Sequence, residues 1–198
     1  MTAPAPGGRG TESVQYRHIA ESPMAARQSV AVDPLPTFEI VDALTVRQLS
    51  DATDLVFEYM TATLDEVGWP VPERLSDLPE AWRSEVDDLA ASYPPPGMFL
   101  VAYRHQRPIG GVGMQVREPG TAEVKHLYVR PDERGGMGRL LMDQLHRRAT
   151  EGGIRRLVLD VLTSRTHVID LYRQLGYTDA EPYTHEPVPV IFMELLLT

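Results

Sequence analysis

The chain has 198 residues, 42% of them hydrophobic and 24% charged, a formal net charge of −9 and no cysteine. This length suggests one domain plus a tail, large enough to fold without disulfides. The composition excludes disulfides, thiol catalysis and cysteine metal sites, and the acidic balance argues against a general nucleic-acid binder.

The charge is unevenly distributed. Residues 1–37 hold three Arg and three acids, so residues 38–198 carry all nine negatives. Residues 44–95 hold eleven acids against three Arg, whereas residues 121–156 hold eight Lys or Arg against five acids. An acidic half suits a cationic substrate and a basic half a polyanionic cofactor; solvated helix faces give the same pattern. No apolar run approaches the roughly 20 residues of a membrane span, and no secretory pattern opens the chain, so a cytoplasmic protein with no membrane partner is expected.

Residues 1–36 are rich in Ala, Pro, Gly, Ser and Arg and read as a disordered leader, with a brief helix allowed at Tyr16 to Gln28. The folded domain is expected over residues 37–198. Phe38 to Val41 reads as a first strand. From Val46 to Thr63, Leu49, Ala52, Leu55, Val56 and Met60 recur near helical spacing, up to the breaker Gly68-Trp69-Pro70. A second helix is predicted from Leu78-Pro79 to Ser92, ended by Pro94-Pro95-Pro96-Gly97.

Met98 to Tyr103, Ile109 to Val116 and Thr121 to Val129 are separated by turn residues and predict an antiparallel meander. Strict alternation would put Glu123, Lys125, Leu127 and Val129 on one face of the third strand and His126 on the other. A helix from about Leu140 ends at Gly152-Gly153. Leu157 to Val161 suits a buried strand, Thr166 to Gln174 a helix, and Val190 to Leu197 a final strand, with a short strand near Tyr177. The order predicts an α/β (α+β) fold, a mixed sheet with helices on both sides.

The most informative run is Arg134-Gly135-Gly136-Met137-Gly138-Arg139. A strand, a glycine turn and a helix start make an anion site, because glycines allow close backbone approach and the first amides point at the ligand. A Walker loop would need Gly-Lys before Ser or Thr, but the single lysine, Lys125, lies elsewhere. A dinucleotide loop would need wider glycine spacing at the start of a βαβ unit.

From Glu123 to Leu197 the chain resembles the GNAT superfamily of acyl-CoA-dependent N-acyltransferases. The resemblance rests on Glu123 to Pro131 as central strand, Arg134 to Gly138 as pyrophosphate loop, Leu159 to Leu162 as the next strand, and Leu171-Tyr172 with Gly176-Tyr177. The closing segments Glu186 to Pro189 and Phe192 to Leu195 are similar to a bacterial subgroup. This implies a mixed, mostly antiparallel central sheet flanked by helices on both faces. It implies an acetyl-CoA-dependent N-acetyltransferase that passes the acyl group directly to an amine in a ternary complex. The alternative is a non-catalytic acyl-CoA-binding or sensing module that kept the fold; a phosphometabolite-binding protein is a weaker one.

The resemblance also implies residue roles. Leu127, Tyr128 and Val129 would meet the thioester and pantetheine. Arg134, Gly135, Gly136, Met137, Gly138, Arg139 and Leu140 would hold the pyrophosphate. Glu123 would be the general base or, in the other reading, a strand-edge carboxylate paired with Lys125 or an arginine. Tyr172 would protonate the departing thiolate. No metal is required. The loop is either one residue short, with Arg134 on the phosphate and Glu133 turned to solvent, or it sets Glu133 where the family has Arg or Gln. Arg165 replaces the asparagine often found seven residues before the tyrosine. The acceptor would be a cationic small-molecule or peptide amine, with Glu58, Tyr59, Trp69, Trp82 and Tyr183 as candidates for selecting it. Dimerisation is common in the family and carries over as an expected homodimer.

Overall fold

The computed structural model describes residues 38–198. The expected leader, with its Tyr16 to Gln28 segment, lies outside the described residues. The elements run β1 (Phe38–Asp42), α1 (Val46–Glu66), α2 (Glu80–Asp87), α3 (Leu89–Ser92), β2 (Met98–Arg104), β3 (Arg107–Glu118) and β4 (Thr121–Val129), then α4 (Met137–Glu151), β5 (Arg156–Leu162), α5 (Thr166–Gln174), β6 (Thr178–Asp179) and β7 (Val190–Leu196). The strands form one sheet in the order β1-β2-β3-β4-β5-β7-β6. Every pairing is antiparallel except β4 with β5. This is the mixed, mostly antiparallel sheet that the sequence predicts.

The sheet buries both faces, and β2 shows how. Leu100 and Ala102 point into a core shared with α4 and α5. Phe99, Val101 and Tyr103 point into a second core under α1, α2 and α3. The period-two alternation of a strand therefore serves two apolar layers at once, which is why this stretch reads as continuously hydrophobic. On α1, Ala52, Leu55, Val56, Met60 and Leu64 form the buried stripe. Its start is fixed by a capping box in which Thr45 and Gln48 satisfy each other's backbone amides.

The predicted helix from Leu78 to Ser92 is two helices. Asp88 leaves helical geometry (φ −141°, ψ 79°), and its side chain accepts from the Ala91 amide at 3.0 Å. A short carboxylate that can cap a new helix competes with continuing the old one.

Two features open the centre of the sheet. First, β4 and β5 pair only from Thr121 to Glu123 against Arg156 to Val158; beyond that the strands diverge. Second, β4 bulges. Lys125 pairs with Gly113 and Tyr128 with Gly111, so His126 and Leu127 face the single residue Val112, and His126 has φ 54°. A bulge reverses the phase of the strand. The expected shared face is therefore corrected. Before the bulge Val124 enters the α4/α5 core; after it Leu127 and Val129 do. Glu123 and Lys125 thus face the opposite side from Leu127 and Val129. His126 is corrected too, since it reaches the same carboxylate as Lys125, as described below.

Gly113 on β3 lies beneath the ring of buried Tyr93. A Cβ there would sit 2.4 Å from the Tyr93 ring, and that ring is tethered by its hydroxyl to Glu85 at 2.5 Å. Gly113→Ala should destabilise the fold by about 1–3 kcal/mol through overpacking. A thermal melt showing an unchanged midpoint would contradict this.

Candidate active site

Beyond Glu123, diverging β4 and β5 leave a gap with one cavity on each side. The first, of about 550 Å³, is lined by Leu127, Tyr128 and Val129 of β4, by Arg134, Gly135, Gly136, Gly138 and Arg139, and by Ser164, Arg165, His167, Val168 and Leu171. The second, of about 330 Å³, is lined by Glu85, Glu123, Lys125, His126, Asp160 and Glu186, and by apolar residues that include Trp69 and Trp82. Tyr59 of α1 borders both.

The wall of the first cavity is an uncapped helix start. Gly135 and Gly136 take φ of 117° and 110°, and the N-cap residue Gly136 has no side chain to close the first turn. The first-turn amides of Met137, Gly138 and Arg139 therefore lack the intrahelical partners that later amides have. Leu140 departs from the expectation: its amide donates to the Gly136 carbonyl at 3.1 Å and its side chain is exposed. Met137 contributes its amide only, since its side chain is in the core. Arg134 and Arg139 form no ion pair among the described residues; Arg139 donates to Gln174 at 2.7 Å. Free amides, a helix N-terminus and two arginines form a cradle for an oxyanion of high charge.

In the loop, Arg134 lines the first cavity and Glu133 does not. Glu133 does not turn to solvent; it ends a 3-10 turn and contacts Arg104 at 2.8 Å and Arg107 at 3.4 Å, its side chain 9% exposed. Its charge is matched by those two arginines, so Arg134 is left to face the cavity. Arg165, at the place of the expected asparagine, donates to Glu66 at 2.8 Å and Thr63 at 2.7 Å and stacks over Tyr59 at 5.2 Å.

The second cavity is acidic. Glu123 is buried, and both of its oxygens accept hydrogen bonds, from Arg117 at 2.8 Å and from the Tyr183 hydroxyl at 3.0 Å. Arg117 in turn stacks on the Tyr183 ring at 5.0 Å. The arginine pairing of Glu123 is thus present, with Arg117 as partner rather than Lys125. Glu85 of α2 accepts from His126 at 2.8 Å and lies 3.1 Å from Lys125. Burial pushes its pKa up, but the His126 hydrogen bond, the His126 and Lys125 charges and the Tyr93 hydroxyl outweigh that and hold it at about 2. Asp160 goes the other way. Burial, followed by the charges of Glu186 and Glu123, raises it to about 6.

Tyr172 of α5 is buried in the core shared with α4 and lines neither cavity. Its ring lies 5.4 Å from that of Tyr177, and its pKa is raised by burial and then by Tyr59 and Asp160. Of the residues proposed to select an acceptor, Tyr59, Trp69 and Trp82 line the second cavity and Tyr183 holds Glu123. Glu58 does not belong to this set: both of its oxygens are held by Arg130, at 2.6 and 3.0 Å. Glu85, Asp160 and Glu186 escape the sequence reading. The one local signal for Glu85 is its i,i+3 spacing from Trp82 on α2.

The model of the acetyltransferase (GNAT) family matches residues 62–177, which include β4, the glycine loop and α5. The chain belongs to the acetyltransferase (GNAT) family. It is 38% identical over 106 residues to an N-acetyltransferase of Schizosaccharomyces pombe, a match covering 52% of this chain and 65% of that protein. It is 34% identical over 124 residues to the IAA acetyltransferase of Azospirillum brasilense, covering 61% of this chain and 81% of that one. An acetyltransferase of Streptococcus agalactiae superposes with a TM-score of 0.65 at 16% identity, over 81% of this chain and 98% of that one. The yncA protein of Salmonella typhimurium, solved with its cofactor acetyl-CoA, superposes with a TM-score of 0.60 at 18% identity, over 81% and 94%. The family is one of acetyltransferases that use acetyl-CoA and an acceptor. Among the described residues no helix is long and apolar enough to cross a membrane.

Proposed function

We propose that this GNAT protein transfers the acetyl group of acetyl-CoA directly to an amine, with the co-substrate in the first cavity and the acceptor in the second. The observation that carries this reading is the gap between β4 and β5. It joins an amide-and-arginine cradle on one side to a carboxylate-lined cavity on the other. The domain that does this spans residues 37–198, and a homodimer is the expected assembly. The residues fit the co-substrate. Its pyrophosphate matches the amides of Met137, Gly138 and Arg139 with the charges of Arg134 and Arg139. Gly135 and Gly136 let the loop come close, and Leu127, Tyr128 and Val129 flank the pantetheine arm.

The co-substrate supplies an activated acetyl thioester. An alkylammonium keeps its proton until pH near 10, so the acceptor needs a base. Glu123 takes that role, oriented by Arg117 and Tyr183. The ammonium's first proton goes to the Glu123 carboxylate; the freed amine nitrogen bonds to the acetyl carbon, the carbon–sulfur bond breaks, and the nitrogen's second proton replaces the one that leaves with the thiolate sulfur. Beyond Glu123 the β5-facing edge of β4 is unpaired, which supplies backbone donors to the carbonyl oxygen. Tyr172, its pKa raised by burial, is the candidate donor to the departing thiolate, its hydroxyl proton moving as charge develops on sulfur.

Tyr172→Phe tests the acid role. It should lower kcat by about 100-fold or more while acetyl-CoA affinity, measured by titration calorimetry, stays close to wild type. Unchanged turnover would remove Tyr172 from the mechanism.

A further inference from the structure

The second cavity contains a chemical selection beyond "an amine". Its cations are already committed: Lys125 and His126 to Glu85, and Arg117, behind it, to Glu123. Arg165, near the Tyr59 boundary, is committed to Glu66. Glu85 and Glu123 are correspondingly occupied. Asp160 and Glu186 differ, since neither side chain is in an ion pair or side-chain hydrogen bond among the described residues. Asp160 stands on β5 two residues past Val158, the last residue paired with β4, and so at the edge of the gap where transfer occurs. The same cavity has apolar lining as well, with Trp69 and Trp82 part-exposed, and Val67 and Val188.

From this we infer that the acceptor is a carboxylate-free primary amine with an apolar or aromatic body. Its ammonium is drawn in by Asp160 and Glu186 and its body lies on Trp69 and Trp82. The inference rests on the reading of the second cavity as the acceptor site. An amino acid would bring its own carboxylate within reach of Asp160, Glu186 and Glu123 with no uncommitted cation to receive it. Such a like-charge placement, made against a desolvated wall, rejects strongly. An aromatic body gains from the tryptophans by ring contact and burial.

The test compares 2-phenylethylamine, L-phenylalanine and L-phenylalanine methyl ester, which share one body and differ at the carboxylate. CoA release is followed with a thiol reagent, and N-acetyl product by mass spectrometry. The amine and the ester should exceed the free amino acid in kcat/KM by about 100-fold or more. The double variant Asp160→Asn, Glu186→Gln should narrow that ratio, chiefly by slowing the amine. Phenylalanine used as well as phenylethylamine would overturn the inference. So would acetylation of peptide amines alone, or a ratio unmoved in the double variant. Acetyl-CoA binding by calorimetry in the same preparations separates the two levels. Binding without acetylation of phenylethylamine overturns the acceptor inference, and failure of acetyl-CoA to bind overturns the reading beneath it.

Discussion

Glu123→Gln should lower kcat by about 10²- to 10⁴-fold, the range a positioned general base supplies, with acetyl-CoA affinity little changed. Glutamine keeps the volume, so the site is not emptied. What is lost is the negative charge between Arg117 and Tyr183 and with it the group that takes the amine's proton. The pH profile adds a second readout. Asp160, raised to about 6 by burial and then by Glu186 and Glu123, must be ionised to attract an ammonium, so wild-type kcat/KM should fall as pH drops through about 6. The Glu123 charge is one of the two that raise Asp160. Removing it should move that acid limb to lower pH, because an ionised Asp160 is then easier to form. A variant with wild-type kcat would show that the Glu123–Arg117 pair is structural and that the base lies elsewhere.

Gly136→Val should weaken acetyl-CoA binding by roughly 5- to 150-fold, corresponding to about 1–3 kcal/mol of backbone strain. The cause is conformational, not steric, because a Cβ at Gly136 would meet nothing within 4 Å. A φ of 110° is open to glycine and costly for a β-branched residue. The loop would relax toward negative φ and rotate its amides out of the first cavity, while Met137 and the apolar face of α4 keep their place in the core. Loss of affinity should therefore exceed loss of thermal stability. Calorimetric titration beside a thermal melt separates the two; equal affinity in the variant would show that the glycine turn does not hold the ligand.

Much of the architecture was legible because the chain punctuates itself. The prolines and glycines at Pro94 to Gly97, Gly120 and Gly152-Gly153 bound elements whose periodicity is clear, and β4 and α5 match their predicted limits. What escaped depends on contacts distant in sequence or on backbone states no residue type announces. His126 carries φ 54° without being Gly or Asn, so nothing local marks the bulge, yet that bulge reverses the face of every residue after it. Glu85 lies 41 positions before His126, and only the packing of α2 over β4 brings them together. Glu133 reads as an anion beside a phosphate loop until Arg104 and Arg107 are seen to bind it. The central strand and the glycine loop are local features, whereas the second cavity is assembled from α1, α2, β4, β5 and the segment before β7.

Calorimetric titration of the wild-type protein with acetyl-CoA tests the central claim most directly. One site per chain, saturating with a Kd between about 1 μM and 1 mM and blocked by excess free CoA, is the predicted result. No binding heat at millimolar acetyl-CoA, or binding that free CoA fails to displace, would contradict it.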